Sequence, residues 1–128
     1  MLVERLDEAY VAYYLVPWHP ARGEEDLIIR LDAMTGKFLG FVIFPKSNQP
    51  YYLQADEALR IAHAVNPSAK PGSQRCVWRP CLQSTTPFQP FYEITHDGEV
   101  VYVDMRGTAH RELIPLGRGG AGDPSGPK

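Results

Sequence analysis

The sequence predicts an α+β fold, an antiparallel sheet of hairpins and meanders packed on one main helix at about residues 55–65. Twelve prolines and eleven glycines in 128 residues cut the chain into short pieces, as antiparallel connections require. Most pieces are apolar runs with a period of two, the signature of half-buried strands. One segment alone changes to the helical period.

Tyr10 to Val16 is β-branched and aromatic, with Val11, Tyr13 and Leu15 on one side and Ala12, Tyr14 and Val16 on the other; Pro17 is expected to end it. After a polar loop, Asp26 to Asp32 alternates, setting Leu27, Ile29 and Leu31 against Ile28, Arg30 and Asp32. Ala33-Met34-Thr35-Gly36 supplies a turn with a glycine free to take positive φ, and Lys37 to Phe44 resumes as a mostly apolar strand. The first half therefore reads as a three-stranded meander.

Ala55 to Val65 places Ala58, Ile61, Ala62 and Val65 on one helical stripe, with Leu59 at its margin. Asp56 and Glu57 suit the positive start of a helix, and Asn66-Pro67 supplies a stop. Arg75 to Arg79 reads as a short strand, and Pro80 to Pro90 as a connection rich in Pro, Ser and Thr. Phe91 to Thr95 and Glu99 to Asp104 flank His96-Asp97-Gly98, a strong hairpin signal. Thr108 to Leu113 should return as a further strand. Residues 1–116 thus form a single domain, and the Gly/Pro-rich stretch 117–128 lacks an apolar anchor and reads as a flexible tail.

Bulk properties narrow the function. A net charge of -2 and a pI near 6.1 give no long-range attraction for polyphosphate, so nucleic acid is not an expected partner. The longest apolar run, Phe38 to Phe44, falls far short of the ~20 residues of a bilayer span. The start, Met1-Leu2-Val3-Glu4-Arg5-Leu6-Asp7-Glu8, does not read as a secretory signal, and the expected location is cytoplasmic.

The halves echo each other. Leu27 to Phe38 aligns with Glu99 to Ala109, each reading as strand, Asp, tight turn with Gly, strand; the Asp bonds the turn backbone and the Gly takes the left-handed conformation. Asp56-Glu57-Ala58-Leu59-Arg60-Ile61-Ala62, then Tyr92-Glu93-Ile94 through Val103-Asp104 and Gly107, resemble the helix and hairpin of the PepSY family. The match covers roughly residues 55–113, with 27–38 as a partial second copy. The resemblance implies a small cystatin-like sheet wrapped on a helix, built as two half-repeats, and a role in binding or restraining a protease or other partner protein. It brings no catalytic residues.

Cys76 and Cys81 are spaced as Cys-Val-Trp-Arg-Pro-Cys, which is neither a thioredoxin-type pair nor a zinc knuckle. They read as a disulfide or redox pair, as ordinary thiols, or as half of a zinc site needing two of His19, His63, His96 and His110. No metal or cofactor is expected; Gly117 to Gly122 opens no helix and makes no phosphate loop, so the tail is not read as a nucleotide site. Trp78, Phe88, Phe91 and Tyr92 lie on or beside the stiff Pro-rich loop, either as an aromatic contact surface for a partner or as a plug for one end of the sheet. Catalysis by Cys76, Cys81 or Ser84 would need a base such as His96 with Asp97, and Asp32 and Asp104 are better explained as turn carboxylates. Tyr10, Tyr13, Tyr14 and Trp18 make the first strand apolar on both faces, so it is either central in the sheet or covered by a partner. The function expected is a non-enzymatic interaction or inhibitory module that meets a partner protein, or a second copy of itself, through a sheet edge and loop 78–92. The alternative is a small enzyme or accessory subunit using the Cys76/Cys81 loop.

Overall fold

The computed structural model describes residues 1–46, 50–67 and 72–116; the tail expected at 117–128 lies outside the described residues. The fold is α+β. Its elements are β1 (Leu2–Arg5), β2 (Ala12–Trp18), β3 (Glu25–Asp32), β4 (Phe38–Pro45), α1 (Ala55–Val65), β5 (Gln74–Trp78), β6 (Phe91–His96), β7 (Glu99–Asp104) and β8 (Ala109–His110). The strands form one sheet in the order β4-β3-β2-β1-β5-β6-β7-β8. Two meanders thus meet at their first strands, and β1 and β5 run parallel there while the other neighbours are antiparallel. Among the described residues no helix is long and apolar enough to cross a membrane.

The helix has the expected bounds, with Ala58 and Ala62 buried and acidic Asp56 and Glu57 in its first turn. It packs over β6, β7 and β8. The Asp-Gly signal also holds: Asp97 and Gly98 both have positive φ, at 51° and 77°, as a tight two-residue hairpin turn demands.

Three expectations need correction. The first meander has four strands, because Leu2–Arg5 joins the sheet and buries Val3 completely; so short a run with alternating charge has no readable period. Pro17 does not end β2, which continues to Trp18 opposite β3. Leu15 donates its N–H to the Met1 carbonyl, and Pro17, two residues further along the same edge, lies past the end of β1, so its missing donor leaves no ladder bond unmade. The last strand is only Ala109–His110, because the chain then leaves the sheet: Leu82 N–H donates to the Ile114 carbonyl at 2.9 Å, and Pro115 bridges Cys81.

Strand alternation sorts the side chains into an inner face, toward α1, and an outer face. The inner face holds Val3, Tyr13, Leu15, Ile28, Tyr92, Ile94, Val101 and Val103, all buried. Phenols lock the covering segments onto it: Tyr13 donates to the Pro87 carbonyl at 2.6 Å, Tyr52 to Phe88 at 2.8 Å and Tyr92 to Leu53 at 2.6 Å.

The repeat legible in the sequence is a repeat of structure. Gly36 N–H donates to the Asp32 carbonyl and Gly107 N–H to that of Asp104, at 2.8 and 3.0 Å, both glycines with positive φ. The Asp32 carboxylate accepts from Thr35 N–H, and that of Asp104 from Arg106 and Thr108 N–H. Because β1 and β5 are parallel and the strand order is mirrored about them, the operation relating the meanders is an approximate two-fold rotation along the strands. Such a rotation exchanges the faces of the sheet. Asp32, opposite Tyr13, is therefore on the inner face, and Asp104, opposite Phe91, on the outer.

Candidate functional site

The outer face is divided at the junction of β1 and β5. On the second meander its exposed part is polar, where Arg75 bridges Glu4 at 3.1 Å and Glu93 at 2.7 Å. On the first meander it is apolar and bare. Tyr14, Val16 and Trp18 of β2 stand beside Leu31, Ile29 and Leu27 of β3, which stand in turn beside Phe38, Phe41 and Ile43 of β4. Trp18 is 54% exposed, Phe41 52% and Phe38 57%.

Ordinary strand chemistry builds this surface. β-Branched and aromatic residues favour the pleated conformation, and here they occupy both sides of β2, β3 and β4, so burying one side leaves the other greasy. Gly40, with φ 147°, sits where the β3–β4 register shifts between Arg30 and Leu31, and this bulge carries Phe38 and Phe41 onto the same side. The charged residues of that side stand at its margins, Glu4 beside Arg75 and Glu25 at the start of β3. Exposed apolar patches of this extent mark association sites in folded proteins.

The four aromatic residues expected on or beside loop 78–92 are turned into the domain and not toward solvent. Trp78, Phe91 and Tyr92 are buried, and Phe88 packs against the core, so these four residues plug the domain and their apolar area is already spent within the chain. Cys76 and Cys81 are not bridged. Burial pushes the Cys76 thiol up to about 11, leaving it protonated at neutral pH; Cys81 is buried with its Sγ 3.5 Å from the Ser84 carbonyl.

The remaining candidates are dispersed. Ser84 Oγ donates to the backbone of Gln89 at 2.7 Å, His96 is buried on β6 while Asp97 caps an exposed turn, and Asp32 and Asp104 lie on opposite faces. His19 contacts Asp26, His110 contacts Asp104 and His63 is exposed on α1, so the histidines do not converge on the cysteines. Among the described residues no three His, Cys, Asp or Glu side chains group as a metal site.

A cavity of about 280 Å³ lies beneath Tyr51 and Tyr52 on the inner face, lined by Leu15, Ile28 and Tyr92. At its rim the buried Asp26 carboxylate is held by His19 at 3.0 Å, Lys46 at 3.1 Å and Tyr51 at 3.2 Å. This cluster clasps the 19–20 loop, the end of β4 and the segment before α1. The double-sided apolarity of β2 signals the apolar face in the sequence; which side stays bare is decided by the tertiary packing of α1.

No known protein family, curated protein or solved structure matches the chain.

Proposed function

We propose that the protein is a non-enzymatic interaction module whose partner, another protein, docks on the bare apolar face of β2, β3 and β4. The observation that carries this reading is the concentration of exposed Trp18, Phe38, Phe41 and Ile43 on one side, with charge only at its margins, because buried aromatic anchors dominate binding energy at protein interfaces. The enzymatic alternative finds no activated nucleophile in Cys76, whose thiol is raised by burial.

The test is photo-crosslinking. Benzoylphenylalanine at position 41 should give discrete protein adducts that Val16→Arg abolishes, whereas the same group at position 102, on the polar half, should give none. Equal adducts at both positions, or none at 41, would remove the reading.

A further inference from the structure

We infer that the partner covers this face with an amphipathic α-helix, laid across β2, β3 and β4 as α1 lies across β6, β7 and β8; the inference rests on the docking face proposed above. The two meanders correspond position by position. Tyr14 stands opposite Leu31 as Tyr92 stands opposite Val103, Val16 opposite Ile29 as Ile94 opposite Val101, and Trp18 opposite Leu27 as His96 opposite Glu99. Since the two-fold relation exchanges the faces, the bare outer face of the first meander is the counterpart of the inner face that α1 covers on the second. Tyr14 is 42% exposed where Tyr92 is 6%.

The differences between the two surfaces fit a helix that arrives from another molecule. Where the second meander has Ala109, His96 and Glu99, the first has Phe38, Trp18 and Leu27. α1 is tethered to its strands by the chain, but a helix in trans must offset the entropy of association, for which large aromatic anchors are suited. On side chains of ~150–250 Å² each, the exposed fractions amount to roughly 700 Å², close to the ~800 Å² per partner of a specific interface. α1 itself shows the pattern the occupant needs: small residues, Ala58 and Ala62, at the contact and Leu59 and Ile61 flanking them.

The probe is a phage-displayed library of fifteen-residue helical peptides, with the outward residue types of α1 fixed and the inward positions varied among small and apolar residues, selected on the full chain. Enriched peptides should shift Trp18 emission to the blue, lose at least tenfold in affinity for a Trp18→Ser/Phe41→Ser chain, and lose binding when proline replaces their central residue. Peptides that tolerate the proline, or that bind the double variant equally, overturn the inference. If no peptide is enriched but sedimentation shows a dimer that Trp18→Ser/Phe41→Ser abolishes, a second copy covers the face; the helix is then wrong and the docking face stands. If no peptide is enriched, the chain stays monomeric and position 41 gives no adduct, both fall.

Discussion

The Tyr13 phenol, on β2 of the first meander, donates a 2.6 Å hydrogen bond to the carbonyl of Pro87, in the loop between β5 and β6 of the second. Tyr13 is itself buried, with the Arg30 guanidinium over its ring at 5.1 Å. One side chain thus joins the two halves of the sheet on the face away from the bare surface. Tyr13→Phe keeps the ring and strands a part-buried carbonyl, which costs about 1–2 kcal/mol. Urea denaturation should show this loss with no change in partner binding.

Val16 and Ile94 are structural equivalents in opposite environments. Threonine keeps the β-branch at both, so strand propensity is held nearly constant. Val16→Thr should change stability by less than about 0.5 kcal/mol, and Ile94→Thr, beneath α1, should cost about 2–3 kcal/mol. Denaturation midpoints of the two variants provide the comparison; equal losses would mean that the first face is covered in the free chain.

Gly72 lies against β6, where an added Cβ would collide with the Thr95 backbone carbonyl. Gly36 has open space around it, so alanine there meets only the penalty of its positive φ. Gly36→Ala should therefore cost about 1 kcal/mol, and Gly72→Ala about 1–3 kcal/mol with visible disturbance of the β5–β6 amides by NMR.

Acid should weaken the fold through Asp26 and Asp104. Burial works to raise both carboxyls, but it is outweighed at Asp26 by hydrogen bonds from His19, Lys46 and Tyr51, and at Asp104 by His110 and the N–H groups of Thr108 and Arg106. Both therefore titrate below the ordinary carboxylate range. A carboxyl lowered on folding adds stability that is full above its unfolded value of about 4 and is lost as pH falls through the folded value. Stability should decline below about pH 5, and Asp104→Asn, which retains an oxygen to accept the turn N–H bonds, should make the decline shallower in urea midpoints taken from pH 2 to 6.

The fold was legible wherever local chemistry decides it. Ala55 to Val65 changes period within one segment, Asp97-Gly98 dictates its own turn, and Asp32 and Asp104 announce matching turns before any pairing is known. β1 escaped because four residues with Glu4 and Arg5 among them carry no period, and its place between β2 and β5 is set by long-range pairing. The candidate site was half visible. Tyr14 and Trp18 signalled a strand apolar on both faces, but only the tertiary arrangement shows that α1 covers the second meander and leaves the first uncovered. Trp78, Phe91 and Tyr92 misled for the complementary reason: aromatics on a Pro-rich loop look the same in sequence whether they point outward or plug a core.

Hydroxyl-radical footprinting of the chain across a dilution series tests the exposed face most directly, because it reads side-chain access residue by residue. Trp18 and Phe41 should be heavily labelled in the dilute chain while Trp78 and Phe91 stay protected. Protection of Trp18 equal to that of Trp78 at the lowest concentration would contradict the account.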